Sequence, residues 1–107
     1  TLEEMLQYGF GMIVEKKSKL RFVYQVISSP LYGELAQKEL SSIYMKYIDY
    51  SETIAKIYSV DKTEFRSCFL LFVSTMHDYC MWGNEILAKE KMDYIYKKVS
   101  ELEVKAN

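Results

Sequence analysis

The sequence predicts an all-α fold, a single bundle of five helices. Glycine and proline are sparse, with four Gly and one Pro among 107 residues, so few positions interrupt regular structure. No segment alternates apolar and polar residues over a useful length, as a half-buried strand would. Six acidic residues are followed four positions later by Lys, the favourable orientation on an exposed helix face: Glu15/Lys19, Glu34/Lys38, Glu52/Lys56, Glu85/Lys89, Asp93/Lys97 and Glu101/Lys105.

The first two predicted helices are short. The first runs from Thr1 to about Lys17, and Thr1 and Glu4 have the spacing of a capping box, in which each side chain binds a backbone amide at the helix start. The second runs from about Ser18, a residue type that suits an N-cap, to Ser28. Its apolar face consists of Leu20, Val23, Tyr24 and Ile27.

The third predicted helix begins at Ser29-Pro30, the clearest boundary in the sequence. Ser suits an N-cap, and Pro suits the first turn of a helix because its missing amide has no partner there in any case. The helix extends to about Tyr58. Apolar residues recur within it at spacings of 4, 3, 4 and 3, which predicts a buried stripe of Ile43, Tyr47, Tyr50, Ile54 and Ile57.

The fourth and fifth predicted helices are separated by Gly83-Asn84. The fourth runs from a cap at Asp61 to about Trp82 and is apolar nearly all round, so it must be covered on every side. In a chain this small we expect a second subunit to provide part of that cover. The fifth runs from about Glu85 to Val104, and its apolar residues form an a/d seam: Ala88, Met92, Ile95, Val99 and Leu102.

Composition excludes several classes of function. The 14 basic and 15 acidic residues are spread evenly along the chain, so no basic face is available to bind nucleic acid. The longest apolar run, Cys68 to Val73, is far shorter than the ~20 residues that span a membrane. The N-terminus has no signal-peptide pattern. We therefore expect a cytoplasmic chain that does not contact a membrane.

Metal and nucleophile chemistry lack the residues that they require. His77 is the only histidine, whereas a zinc site needs three or four ligands, so we predict no metal and no cofactor. A thiol–imidazole pair can draw only on Cys68, Cys80 and His77, and no third group is evident to orient the base. His77 and Asp78 are adjacent on a helix, where neighbours point about 100° apart, so we expect no relay between them. We predict that the protein is not an enzyme.

Aromatic and sulfur-containing side chains are unusually frequent, with ten Tyr, five Phe, one Trp and six Met. Such side chains line adaptable apolar cavities, and each Tyr adds a polar group at its tip. Any one of them is most simply an ordinary core residue, but together they predict a pocket for a small apolar or aromatic ligand. The predicted ligand-binding residues are Tyr24, Tyr44, Tyr47, Phe69, Phe72, Met76, His77 and Trp82.

The order of elements resembles the C-terminal regulatory domain of TetR-family transcriptional regulators. The resemblance spans residues 1–107. It rests on two modest helices, a Ser-Pro start, a long third helix, a very apolar fourth helix and an amphipathic fifth helix. The segment FLLFVSTMHDYCMWGNE, residues 69–85, is similar to the family's penultimate helix and the turn after it. The chain departs from the family at His77-Asp78, where a small residue is common.

The resemblance implies a homodimer, an effector pocket and a missing partner domain. The last two helices would pair with their copies in a four-helix bundle, and a small helix-turn-helix domain preceding Thr1 would alone contact DNA. Ligand binding would move the first helix and so change the spacing of the two recognition helices. The expected dimer-interface residues are Phe65, Leu70, Val73, Met92, Ile95, Val99 and Leu102.

Two other classes of function stay open at this point. A stand-alone helical protein–protein interaction module shares the same fold signals, and it predicts a groove for a partner and no internal cavity. A small helical enzyme that uses Cys80 or His77 predicts an activity that thiol alkylation abolishes.

Overall fold

Five helices make up the fold, as the sequence predicts. The computed structural model describes residues 1–106, without the side chains of residues 33, 36, 37 and 40. Within that part of the chain there are no strands, and all other residues lie in caps and short turns. The helices are α1 (Leu2–Glu15), α2 (Lys17–Ile27), α3 (Gly33–Tyr58), α4 (Lys62–Trp82) and α5 (Glu85–Ala106).

A single residue, Lys16, separates α1 from α2. The predicted capping box is confirmed, since the Glu4 amide donates to Thr1 Oγ1 at 3.1 Å and the Glu4 side chain returns to the Thr1 backbone. The expected cap at Ser18 is wrong, because Lys16 leaves the helical region with φ −102° and ψ 15° and no side chain caps α2. The two helices therefore form one chain path with a one-residue joint.

The start of α3 is three residues later than Ser29-Pro30 predicts. Ser29 uses its polar groups in a turn: its hydroxyl accepts from the Leu31 amide at 3.3 Å and its carbonyl accepts from the Tyr32 amide at 3.2 Å. Pro30 is thus the second residue of a four-residue turn, a position that its fixed φ also suits. The helix begins only after the turn is complete.

The buried stripe of α3 differs from the predicted one. Tyr47 and Ile54 are half-buried, but Ile43, Tyr50 and Ile57 are exposed. The most buried residues of this helix are instead Ser51 and Ala55, which have little apolar signal in the sequence. The Ser51 hydroxyl donates to the Ile48 carbonyl at 2.7 Å, so this small polar residue is satisfied where α3 packs closely on α4.

Helix α4 lies at the centre of the bundle and contacts all four other helices. Its N-cap is Asp61, as predicted, which accepts from the Glu64 amide at 2.8 Å. Its C-terminus ends at Gly83 with φ 68°, a left-handed conformation that favours glycine. A Cβ at Gly9 of α1 would lie 3.4 Å from the Phe72 ring, so the absent side chain lets α1 approach α4 closely.

Helix α5 buries the whole of its predicted a/d seam against the same chain. Ala88, Met92, Ile95, Val99 and Leu102 are all buried. The last four of them join Leu2 and Leu6 of α1 and Phe65 and Phe72 of α4 in one core. Two polar contacts fix the start of α1 to the end of α5. The Leu2 amide donates to Glu103 Oε1, and the Ser100 hydroxyl donates to Glu3 Oε2 at 3.0 Å.

Ion pairs form between partners other than those that the i, i+4 spacing predicts. Glu52 of α3 lies 3.6 Å from Arg66 of α4, rather than pairing with Lys56, and Glu101 lies 3.6 Å from Lys98. Exposed pairs of this kind add little stability. Among residues 1–106, no helix has the length and apolar character that crossing a membrane requires.

Candidate functional site

A cavity of about 400 Å³ lies between α2, α3 and α4. Its volume falls within the range of about 300–1,000 Å³ that is typical of small-molecule sites. Apart from His77, the described lining consists of aliphatic, tyrosine and serine side chains, without Lys, Arg, Asp or Glu. The lining residues are Leu20, Val23, Tyr24, Ile27, Ser28, Ile43, Tyr44, Tyr47, Val73, Ser74 and His77.

Each wall of the cavity follows from helical spacing. Leu20, Tyr24 and Ile27 are separated by four and three residues, so they share the face of α2 that turns toward α4. Tyr44 and Tyr47 of α3, three residues apart, form the opposite wall. The rim is open to solvent, since Tyr44 is 51% exposed and Val23 is 47% exposed. A ligand can therefore enter without a large rearrangement.

Aromatic side chains in and behind the cavity wall meet in edge-to-face contacts. The rings of Tyr24 and His77 are 4.5 Å apart at an interplanar angle of 75°, and those of Tyr47 and Phe69 are 6.4 Å apart at 64°. Burial raises the pKa of the Tyr24 phenol above its usual range, with smaller contributions from Tyr47 and Cys80. Tyr24 is consequently a neutral phenol at pH 7, able to donate or accept a hydrogen bond.

A polar chain of three residues supports one wall of the cavity. His77 Nδ1 lies 3.3 Å from Asp78 Oδ1, and the other carboxylate oxygen of Asp78 lies 3.5 Å from Lys91 Nζ on α5. The side chains of His77 and Asp78 therefore meet, although neighbouring positions on a helix point about 100° apart. Adjacent Cα–Cβ bonds do diverge, but the two side chains are long enough for their polar atoms to come together. Asp78 therefore holds the imidazole of His77 in place.

Four of the eight predicted ligand-binding residues line the cavity: Tyr24, Tyr44, Tyr47 and His77. Phe69 lies behind Tyr47, and Phe72 is buried in the core. Met76 is half-buried and packs against the same core. Trp82 is 77% exposed at the far end of α4, because the residue before the C-cap faces solvent there. These last four do not line the cavity.

Sequence analysis missed part of the cavity lining, although a signal was present for some of it. Leu20, Val23 and Ile27 form the apolar face that the sequence assigns to α2, but nothing in that pattern distinguishes a cavity wall from a core contact. Ser28 and Ser74 carry no such signal, because isolated serines on helices are common on any surface. Val73 lines the cavity although it was expected in the dimer interface.

The predicted dimer-interface residues require a correction. Five of them are buried inside the single chain and have no surface left for a partner: Phe65, Met92, Ile95, Val99 and Leu102. The a/d seam of α5 is satisfied by α1 and α4 of the same chain. Of the other two, Leu70 is half-buried and Val73 belongs to the cavity.

A different apolar surface lies along the outside of α4 and α5. Two shallow grooves of about 340 and 140 Å³ run between these helices. Charged side chains border the first groove, among them Glu64, Lys98 and Glu101. We name this surface the outer α4–α5 face and define it by its exposed apolar residues, Leu71, Trp82, Leu87 and Tyr94.

The described residues do not assemble a site for metal or nucleophile chemistry. No three His, Cys, Asp or Glu side chains in that part of the chain are grouped as metal ligands. Cys68 and Cys80 are free thiols, half-buried and buried respectively. Burial raises the pKa of both thiols above the usual range, so both are neutral at pH 7 and neither is an activated nucleophile.

Comparison with known protein families, with curated proteins and with solved structures gives no match. The cavity between α2, α3 and α4 and the outer α4–α5 face are therefore the features from which a function is argued.

Proposed function

We propose that the chain is the effector-sensing and dimerisation domain of a TetR-like transcriptional regulator of the cytoplasm. In this proposal the cavity binds a small apolar or aromatic ligand, and binding alters DNA recognition by a helix-turn-helix domain that precedes Thr1. The observation that carries the proposal is the cavity itself. Its volume, its aromatic and aliphatic walls and its few polar groups are those of a small-molecule site.

The position of α1 supplies a route from the cavity to a preceding domain. Helix α2 forms one wall of the cavity and joins α1 through Lys16 alone. A ligand that wedges α2 away from α4 would therefore also shift the end of α1. The start of α1 is held on α5 through Glu103, so the helix would pivot about that point. A ligand shifts such an equilibrium by its differential affinity for the two states, typically about 1–3 kcal/mol.

The proposed dimer uses the outer α4–α5 face rather than the buried seam of α5. The single chain exposes 7525 Å², whereas a globular monomer of its mass, 12.7 kDa, exposes about 6,200 Å². The chain is also only 17 Å thick in its shortest dimension. The excess of roughly 1,300 Å² is enough for the ~800 Å² that each partner buries in a standard interface.

Ligand binding is tested with a cavity-filling variant. A panel of small aromatic compounds is assayed by thermal shift and by isothermal titration calorimetry. We expect Ser74→Trp to abolish binding of any compound that stabilises the wild-type chain, because an indole at that position occupies the cavity. Ser67→Trp is the matched control: Ser67 lies one heptad earlier on α4, is likewise exposed, and lines a groove of the outer α4–α5 face.

The outcome that contradicts the ligand proposal is equally specific. If Ser74→Trp binds the compounds as the wild type does, or if Ser67→Trp abolishes binding, the cavity between α2, α3 and α4 is not the site. If no compound in the panel stabilises the wild-type chain, the effector-sensing proposal loses its support.

Dimerisation is tested by sedimentation velocity at low micromolar concentration. We expect a dimer for the wild type and a monomer for Leu71→Lys, since a charge placed in an apolar interface loses its hydration on association. Ile57→Lys changes an equally apolar residue that is 71% exposed on α3, and it should remain dimeric. A monomeric wild type, or a dimer that survives Leu71→Lys, contradicts the proposed interface.

A second candidate function is supported by the exposed end of the α2–α3 pair. Leu31 is 81% exposed in the turn between α2 and α3, and Leu35 at the start of α3 and Phe22 in the middle of α2 are exposed as well. Apolar patches of this kind mark protein–protein contacts, so a helical interaction module is the alternative. It predicts that Leu31→Asp abolishes capture of a protein partner whereas Ser74→Trp leaves capture unchanged. If the chain senses a ligand, Ser74→Trp should abolish small-molecule binding and Leu31→Asp should leave it unchanged.

A further inference from the structure

We propose that the cavity selects an uncharged aromatic compound with a single O–H donor, a phenol, and that His77 Nε2 accepts the hydrogen bond from that hydroxyl. This inference rests on the proposed ligand-binding function of the cavity and specifies the chemical class of the ligand.

The composition of the cavity lining favours an uncharged ligand. Apart from the imidazole, the cavity walls consist of aliphatic side chains, phenols and serines. A charged group placed among them would lose its hydration without an opposite charge in the lining, which is costly.

The hydrogen bond at Nδ1 determines what the other ring nitrogen can do. A carboxylate only accepts, so the Nδ1–Asp78 contact at 3.3 Å places the proton of the neutral imidazole on Nδ1. Lys91, 3.5 Å from the second oxygen of Asp78, holds the carboxylate in position. Nε2 is then left with a lone pair, and it accepts a hydrogen bond from a ligand.

The other polar groups of the cavity do not duplicate this role. The Ser74 hydroxyl donates to the Leu71 carbonyl at 3.2 Å and is already engaged. The phenols of Tyr24, Tyr44 and Tyr47 each carry a proton and can serve a ligand acceptor. The hydroxyl oxygens of these residues and of Ser28 can also accept, but among the side chains of the described lining only His77 Nε2 is an acceptor that carries no proton of its own.

The walls also favour a flat aromatic ligand. Tyr24 meets the face or edge of the His77 ring at 4.5 Å, and Tyr44 and Tyr47 form the wall opposite α2. Aromatic rings gain free energy beyond burial alone when they meet in offset or edge-to-face arrangements. A ligand ring lying between these tyrosines brings a ring substituent within reach of His77.

The experiment compares three probes of nearly equal size: 2-naphthol, 2-methoxynaphthalene and 2-naphthoate. Isothermal titration calorimetry is carried out at about pH 8. We expect 2-naphthol to bind roughly three- to tenfold more tightly than its methyl ether, the ratio that one net hydrogen bond provides. The naphthoate anion should bind more weakly than both.

Three variants assign this preference to a residue. His77→Phe should reduce the ratio of the two dissociation constants to about one while leaving the affinity for 2-methoxynaphthalene within about twofold, because ring volume is kept and the acceptor is lost. Asp78→Ala should also reduce the ratio, which marks Asp78 as a positioning residue: a merely structural role would weaken both probes alike. Tyr8→Phe, which removes a hydroxyl from a residue that is 73% exposed on α1 and outside the cavity lining, is the control and should keep the ratio of the wild type.

The outcomes distinguish failure of the phenol inference from failure of the proposed ligand-binding function. Equal binding of 2-naphthol and its ether by the wild-type chain overturns the phenol inference and leaves the cavity as a ligand site. Tightest binding of 2-naphthoate replaces the phenol with an anion. A preference for 2-naphthol that persists in His77→Phe overturns the role of His77. Failure of all three probes to bind overturns both the inference and the proposed function.

Discussion

Replacing Ile95 by alanine tests whether the seam of α5 belongs to one chain or lies between two. The side chain of Ile95 is fully buried, and its seam neighbours Met92 and Val99 are buried as well. A cavity at this position has little chance to collapse, because close-packed surroundings relax only partially. Ile→Ala changes in such cores cost about 2–5 kcal/mol, and we expect about 3–4 kcal/mol here.

The assay is urea unfolding followed by far-ultraviolet circular dichroism, combined with sedimentation of the folded protein. A loss of this size lowers the melting temperature of a domain of about this length by roughly 12–25 °C. Lys97→Ala, at an exposed position two residues along α5, is the control and should change the free energy of unfolding by less than about 0.5 kcal/mol.

An Ile95→Ala variant that keeps the stability of the wild type would contradict the assignment of the α5 seam to the interior of one chain. If Ile95→Ala melts with the wild type but sediments as a monomer where the wild type is a dimer, the seam lies between subunits. If instead the variant is destabilised and its oligomeric state is unchanged, the seam is the interior of a single chain, as described above.

Three further predictions concern the caps and the alkaline limit of stability. Gly11→Ala should raise the free energy of unfolding by about 0.5–1 kcal/mol, because a Cβ there meets nothing within 4 Å. Gly83→Ala should lower it by about 1–2 kcal/mol, because φ is 68° and the Cβ would lie 3.1 Å from Lys17 Nζ. Urea titrations of the two variants check the opposite signs. Ser59→Gly should stabilise by about 0.5–1 kcal/mol in the same titration, since Ser59 adopts φ 57° at the end of α3, and an unchanged midpoint would contradict the proposed strain. Burial raises the pKa of Tyr79 and of Cys80, so at alkaline pH the folded chain keeps protons that the unfolded chain has lost. These two groups should therefore leave the free energy of unfolding unaffected at neutral pH and lower it above about pH 9. Tyr79→Phe should make that fall shallower.

The number and order of the helices could be predicted from the sequence because the signals are local. The capping box of Thr1 and Glu4, the Asp61 cap and the glycine after Trp82 each depend on residues within one helical turn, and each is found as predicted. The seam of α5 was also predictable, because a regular 4, 3 spacing of apolar residues specifies one face whatever covers it.

The partner of that seam could not be predicted in the same way. Periodicity shows that a face is buried but does not show whether the cover comes from the same chain. The stripe of α3 illustrates a related limit. Small residues such as Ser51 and Ala55 contribute little to an apolar pattern, yet close packing against α4 buries them more fully than Tyr50 or Ile57.

The cavity was predicted in part, for a physical reason. Tyr24, Tyr44, Tyr47 and His77 were placed on inward-facing sides of their helices, and the structure brings them together. Phe72 and Trp82 share the same chemistry but lie in the core and at the exposed end of α4 respectively. Whether an aromatic side chain fills space or borders it depends on the distances between helices, and these depend on every other residue in the interface.

Nuclear magnetic resonance of the isotope-labelled chain tests most directly whether the cavity between α2, α3 and α4 binds the ligand. Titration with 2-naphthol should shift amide signals at Tyr24, Tyr47 and Val73, together with their neighbours on the three helices. Amides beside Tyr94 on the outer α4–α5 face should not move. Shifts confined to the outer α4–α5 face, or an absence of shifts at saturating ligand, would contradict the assignment of the cavity as the ligand site.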